Sequence, residues 1–247
     1  HDLGAIETYR LNFDAEPADI SIEPIADATQ IVYFSSGSTG VPKRIPQPFS
    51  MINDELPELY NFLQNYLTDD TVMIATVSFS HMYGMFYAFL LPIFLGLSLD
   101  TELLITTDDL KRKLALYPHC FFVSSPAFLE RLAKYKDNYH FEIKPVGMTS
   151  CGGLLSQEAA EASYELFGVP VFDIFGSTET GGVGFRMRPE QTYWNFQRVV
   201  NAVTDDDGRL IVTSPYVQNQ PYTMQDAARL IEGRRFELLG RLDRMLK

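Results

Sequence analysis

Between Phe34 and Arg44 the chain reads Phe-Ser-Ser-Gly-Ser-Thr-Gly-Val-Pro-Lys-Arg, directly behind a strand-like apolar run. Glycines let a backbone turn its N–H groups inward, hydroxyls add donors, and Lys43 adds a positive charge. Those are the parts of a polyphosphate cradle; a flexible Ser/Gly surface loop is what the composition alone would suggest instead. The pattern G-x-x-x-x-G-K-[ST] is absent, and Pro42 prevents Lys43 from opening a helix in that way. A second segment, Asp-Ile-Phe-Gly-Ser-Thr-Glu-Thr-Gly-Gly over Asp173–Gly182, also follows a strand-like run. Ligands of open α/β sheets bind beyond the carboxyl ends of strands, so this is a second candidate; an ordinary strand-to-loop turn is its plainer reading. Two more segments could approach a ligand: Ser78-Phe-Ser-His-Met-Tyr-Gly84, which holds His81, and the tight turn Ser150-Cys-Gly-Gly-Leu154.

The elements that must position these residues alternate. Strands are expected at Ile31–Phe34, Val72–Val77, near Leu103–Thr106, at Cys120–Val123, Val146–Thr149 and Val169–Phe175. Helices are expected between them: Phe49–Leu67 with Met51, Ile52, Leu56, Leu59, Phe62 and Leu63 on one side, an apolar helix from Met82, then Asp108–Leu116, Pro126–Tyr135 and Gln157–Phe167. Ser125 and Ser156 are expected caps and Gly168 a C-terminal stop. Strands separated by helices of this length imply an α/β fold, a mostly parallel sheet with crossover helices. Farther on, short β-type runs (Gly208–Thr213, Ala228–Glu232, Arg235–Leu239) separated by Asp-Gly and Glu-Gly turns add a small antiparallel β subdomain. The expected organisation is a lead-in over 1–30, an α/β core over 31–185 and a β-rich subdomain over 186–240.

Composition narrows the function. Asp plus Glu number 32 against 20 Lys plus Arg, a net charge of −12, which disfavours nucleic acid as a partner. A small anion is compatible with that field, because a few local donors outweigh charge screened over about 8–10 Å. Two cysteines, Cys120 and Cys151, supply neither a disulfide framework nor a Cys-rich metal site, which fits a reducing cytoplasm. Met82–Leu99 lacks formal charge over 18 residues, but Gly84, Pro92, Gly96 and flanking acids argue for buried elements over a membrane span. A soluble, cytoplasmic protein is expected.

The order of residues says more than their composition. Ser35–Lys43 matches [ST]-[SG]-G-[ST]-T-G-x-P-K, the phosphate loop of the adenylate-forming (AMP-binding) superfamily of acyl- and aryl-CoA ligases, luciferases and peptide-synthetase adenylation domains. Phe175-Gly-Ser-Thr-Glu179 resembles that family's [YF]-G-x-T-E motif, Gly240-Arg-Leu-Asp243 its G-R-x-D hinge, and Ser78–Gly84 its F-H-x-x-G element. Ser150–Leu154 resembles its S-G-G-[AE] turn and, imperfectly, Gly208–Pro215 its G-E-L-x-V-x-G-P strand. The resemblance implies an AMP-forming acid ligase that turns a carboxylic acid and MgATP into an acyl-adenylate and pyrophosphate. Transfer to the thiol of CoA or of a carrier-protein phosphopantetheine would follow, making an acyl-carrier protein a candidate partner.

It implies roles residue by residue. Ser35, Ser36, Gly37, Ser38, Thr39, Gly40 and Lys43 would hold the β- and γ-phosphates. Phe175, Gly176, Ser177 and Thr178 would border the nucleotide, with Thr178 at the α-phosphate and Glu179 on Mg²⁺. Asp226 and Arg241 would reach the ribose, and His81 the reacting carboxylate. Gly152 and Gly153 would allow close approach of adenine and the acyl group, and Asp173 falls where an amino-acid substrate's ammonium would be gripped. Met224 and Gln225 replace Thr and Gly of the family's Y-x-T-G-D, and Arg244 stands where a second acidic hinge residue is common.

Most members also have over a hundred residues before the phosphate loop and about a hundred past the hinge, where a lid supplies a catalytic lysine. This chain has 34 before the loop and stops at Lys247, so the resemblance is to a large domain with residues 241–247 opening the hinge. An excised fragment and a natural truncation both fit, and a non-catalytic adenylation-like module, a kinase-like phosphotransferase and a purely structural domain stay open.

Overall fold

In a computed structural model, residues 29–35 and 43–242 are described. A two-stranded antiparallel ribbon comes first, β1 (Gln30–Ser35) with β2 (Lys43–Pro48), Ser35 opposite Lys43. Then follow α1 (Met51–Leu63), β3 (Val72–Ala75), and an apolar rod made of α2 (Met82–Gly84), a π-helical stretch (Met85–Leu90) and α3 (Leu91–Leu95). Next come β4 (Ser98–Leu99), α4 (Thr107–Leu116), β5 (Cys120–Ser124), α5 (Pro126–Lys134), β6 (Gly147–Ser150), α6 (Gln157–Phe167) and β7 (Val171–Ser177). The last strands are β8 (Gly181–Arg188), β9 (Trp194–Phe196), β10 (Asn201–Thr204), β11 (Arg209–Thr213), β12 (Tyr222–Ile231) and β13 (Arg235–Arg241).

Eleven strands join one sheet in the order β10-β11-β12-β13-β9-β8-β7-β6-β5-β3-β4. From β4 to β7 every pairing is parallel; from β7 onward every pairing is antiparallel. The expected α/β class holds, and the antiparallel strands hydrogen-bond to the parallel ones without a break. Strand alternation explains the layers. Met73, Ala75, Phe121 and Val123 face α1 and the apolar rod, while Ile74, Cys120, Phe122 and Met148 face α4, α5 and α6. A third cluster, with Trp194, Val212, Met224 and Phe236, closes the antiparallel half.

Local signals set several ends. Ser156 accepts the Ala159 N–H at 3.0 Å and Gly168 leaves α6 at φ +72°, as expected. Ser125 precedes α5 but its side chain makes no capping bond. The expected strand near Leu103–Thr106 is instead irregular. In this stretch Ser98–Leu99 forms the strand on β3; the chain then turns where Asp100 accepts the Glu102 N–H and both carboxylates reach Lys113, and Leu104 returns a single N–H to the Ala75 carbonyl at 2.8 Å. Among the described residues no helix is long and apolar enough to cross a membrane.

Candidate active site

The β1–β2 ribbon and the turn after β7 meet at one edge of the parallel half. Lys43, the first residue of β2, places Nζ 2.9 Å from Oε1 of Glu179, 136 residues away. Two further bonds fix the approach: the buried Gln47 amide donates to the carbonyls of both Thr178 and Glu179 at 2.9 Å. The turn is also braced from within, since the Ser177 N–H donates to Thr180 Oγ1 and the Thr180 N–H to Ser177 Oγ. Partial burial would raise the Glu179 carboxyl, but the hydrogen bond and charge of Lys43 outweigh it and keep Glu179 below the usual glutamate range. Tyr222, at the start of β12, is pushed up by burial and then by the charge of Glu179, so β12 begins beside this pair.

Below the turn lies a cavity of about 380 Å³. It is lined by His81, Gly152, Gly176, Ser177 and Thr178, by the apolar side chains of Val77, Met82, Phe86 and Ile174, and by Glu55, Tyr87, Gly181 and Gly182. His81 precedes α2 with extended backbone, and its carbonyl accepts the first helical bond, from Met85 N–H at 2.8 Å. Gly84 is needed for this corner, because a Cβ there would stand 2.2 Å from the Ser78 carbonyl oxygen. Tyr83 donates to Thr149 Oγ1 at 2.6 Å, tying the wall to β6. Burial, then the charge of Asp173, pushes the Cys151 thiol up to about 12, so it stays protonated.

The other expected residues divide. Ser36, Gly37, Ser38, Thr39, Gly40 and Asp243 lie outside the described residues, and Ser35 is the last described residue of β1. Asp226 and Arg241 are cross-strand partners on β12 and β13. Gly153 lies against Pro126 and Phe175 against Trp194 and Phe236, away from the cavity lining. Asp173 does not line the cavity either. It is fully buried, its Oδ2 takes two bonds from the Arg186 guanidinium at 2.8 and 2.9 Å, and burial outweighs that partner to raise it to about 6.

A profile of AMP-binding enzymes matches residues 2–210 of the sequence. The chain belongs to the AMP-binding enzyme family. Among curated members, a 4-coumarate–CoA ligase from Rhodobacter capsulatus is 25% identical over 224 residues, 90% of this chain and 54% of that protein. Another 4-coumarate–CoA ligase, from Halorhodospira halophila, is 26% identical over 212 residues, 78% of this chain and 49% of that protein. The chain thus spans about half the length of the curated relatives it matches. Apo MatB from Rhodopseudomonas palustris superposes with a TM-score of 0.75 at 18% identity, covering 91% of this chain and 50% of that one. O-succinylbenzoate coenzyme A synthetase from Bacillus subtilis, in complex with AMP, gives 0.73 at 17%, covering 86% and 49%. At such identities these two structures establish the shared fold.

Sequence reasoning missed Gln47, Glu55 and Tyr87. Glu55 had a visible signal, a carboxylate on the α1 stripe formed by Met51, Ile52, Leu56 and Leu59.

Proposed function

We propose that the protein activates a carboxylic acid with MgATP, forming an acyl-adenylate and releasing pyrophosphate. The observation that carries this reading is the meeting of Lys43 and Glu179, from two separate motifs, in the turn whose Ser177 and Thr178 line a cavity of acid-substrate size. A carboxylate is already ionised at neutral pH, so the chemistry asks for alignment and charge neutralisation rather than a general base. A substrate carboxylate oxygen forms a bond to the α-phosphorus. The bond from that phosphorus to the oxygen bridging toward the β-phosphate breaks, and pyrophosphate leaves with the electron pair.

Lys43, with Ser36, Ser38 and Thr39, holds the β- and γ-phosphates, and Thr178 with Ser177 meets the α-phosphate. Glu179 would hold the Mg²⁺ that accompanies ATP as part of the substrate, and that hard cation would supply neutralisation of the phosphate charge. With Lys43 59% exposed, its pair with Glu179 is worth no more than about 1 kcal/mol, so an arriving nucleotide exchanges it easily. Asp226 and Arg241 orient the ribose, and His81 stands by the reacting carboxylate. The names of the curated relatives favour the thiol of CoA as acceptor over a carrier-protein phosphopantetheine, and over a module without catalysis. That transfer belongs to the whole protein and to closure of a lid.

Exchange of labelled pyrophosphate into ATP, run with a panel of carboxylic acids, tests the reading. Acid-dependent exchange supports it; formation of ADP in place of AMP, or no ATP affinity, overturns it.

A further inference from the structure

The adenylation chemistry uses side chains of the turn after β7, and the backbone that carries them needs an anchor of its own. The ends of the turn are held close by. The Ser177 N–H donates to Thr180 Oγ1 at 3.1 Å, and the Thr180 N–H donates to Ser177 Oγ and to the Ser177 carbonyl, both at 3.2 Å. Two residues on, the Gly182 N–H donates to Glu55 Oε1 at 3.1 Å, and a Cβ on Gly182 would stand 2.7 Å from that oxygen. The bare backbone there is the socket in which the Glu55 carboxyl sits. The middle of the turn is held from farther off, by Gln47.

Gln47 is 5% exposed, and its Nε2 lies 2.9 Å from the carbonyl oxygens of both Thr178 and Glu179. A primary amide has two N–H donors, so each carbonyl takes one and both are used. A stiff stretch of chain presents that amide. Gln47 stands between Pro46 and Pro48, whose rings set φ at about −65° and confine Ile45 and Gln47, the residues ahead of them, to extended backbone. Pairing with Ile31 sets its register against β1, and alternation along β2 puts Lys43, Ile45 and Gln47 on one face of the ribbon. The strand that delivers Lys43 to the Glu179 side chain thereby delivers Gln47 to the main chain of Thr178 and Glu179.

We propose that Gln47 is a positioning residue for the adenylation step: it locks the turn carrying Thr178 and Glu179 to the ribbon carrying Lys43, so that the groups for the α-phosphate and those for the β- and γ-phosphates keep one spacing. The inference rests on the ligase reading. The Thr178 and Glu179 carbonyls belong to the two planar peptides that flank the Glu179 Cα, so fixing both fixes the direction in which the Glu179 side chain leaves the backbone. The Lys43–Glu179 pair cannot do this during the reaction, because an arriving nucleotide and its cation claim both side chains. The two Gln47 bonds are made to main chain and persist. Bond formation at the α-phosphorus and departure of pyrophosphate take place across the spacing that they set, and alignment is what this chemistry chiefly asks of the protein.

The test is pyrophosphate–ATP exchange, with an acid that drives it in the natural protein, together with calorimetric titration of MgATP in the absence of acid. Gln47→Met keeps the length and bulk of the side chain and removes both donors. It is expected to lower kcat by about 10–100-fold, the cost of a misplacement of about 1 Å. The Kd of MgATP and the KM of the acid are expected to stay within about threefold, since ground-state binding is not what the amide serves. In a Glu179→Gln background the same change is expected to cost less than about threefold, because Gln47 acts through the placement of that residue. Gln47→Asn keeps an amide but falls about 1.5 Å short, so it is expected to share the loss in kcat. It carries the comparison if thermal unfolding shows that Gln47→Met does not fold. A kcat within about threefold of the natural protein, a loss that falls on MgATP affinity instead, or the same loss with and without Glu179 overturns the inference and leaves the ligase reading standing. If no acid drives exchange in the natural protein, both fall.

Discussion

Replacing Glu55 with Gln separates the charge of this buried carboxyl from its shape. Burial is the largest influence on it, the Gly182 N–H offsets part of the effect, and the charge of Glu58 on the same helix adds to the rise, which brings Glu55 from 4.5 to about 8. In the unfolded chain an ordinary glutamate ionises near 4.5. Between the two values the folded protein keeps a proton that the unfolded chain has given up, so folding takes up a proton and stability declines as pH increases. The slope is about 1.4 kcal/mol per pH unit, and over the whole interval the loss accumulates to about 5 kcal/mol. The stabilisation is complete below about pH 4.5 and gone once pH has risen through 8, the reverse of a carboxylate held by a cation. Gln has no proton to lose. The stability of Glu55→Gln relative to the natural protein should therefore climb by about 5 kcal/mol between pH 4.5 and 8. The titratable neighbours do not blur this: burial pushes the phenols of Tyr33, Tyr87 and Tyr216 up and the Cys151 thiol to about 12, so they stay neutral. Asp173, raised to about 6, titrates in the same interval but does so in both proteins and cancels. Urea unfolding at several pH values, followed by Trp194 fluorescence and by far-UV circular dichroism, measures the difference. A difference that is flat with pH would mean that Glu55 is ionised in the fold, and the account of it as a buried neutral acid would be wrong.

Three other perturbations probe the rest of the site. Glu179→Gln should abolish most acid-dependent pyrophosphate exchange, by a factor of about 100 or more, yet change unfolding free energy by less than about 1 kcal/mol because its partner Lys43 is largely exposed. Asp173→Ala leaves the Arg186 guanidinium buried without its carboxylate and should cost about 3–5 kcal/mol in chemical denaturation. Gly182→Ala puts a methyl group into the Glu55 socket and should cost about 1–3 kcal/mol, read from the denaturation midpoint; a neutral result would show that the socket has room to spare.

The elements that sequence signals located correctly are those whose ends are set locally. The helix Gln157–Phe167 is one, because Ser156 and Gly168 act within a turn of its ends. β2 went unread because Pro46 and Pro48 interrupt any strand pattern; a two-stranded ribbon tolerates them, since proline can sit where no ladder N–H is needed. β8 opens on Gly181-Gly-Val-Gly184, a composition that resembles a loop, and it becomes a strand because β7 and β9 pair with it on either side. Partners far away in sequence decide such segments, and no local window contains them.

The site was legible to a different depth at its two ends. Lys43, Thr178 and Glu179 stand in short motifs whose residue order is itself informative, and the fold brings Lys43 and Glu179 into contact. Glu55 stands in no motif; along α1 it looks like one polar residue misplaced on an apolar stripe, a pattern that helices tolerate at their exposed edges. What turns it from an edge residue into the most heavily desolvated acid of the cavity is the approach of α1 to β8, where the backbone comes close enough for Gly182 to donate to it. The sequence does carry a trace of that approach. Gly181 and Gly182 read as the flexible end of a phosphate-side turn, yet Gly182 is held small by a carboxyl 127 residues upstream. A paired glycine following a ligand motif can therefore report on a neighbouring helix packed against it, and the polar residue on that helix is the place to look for what it accommodates.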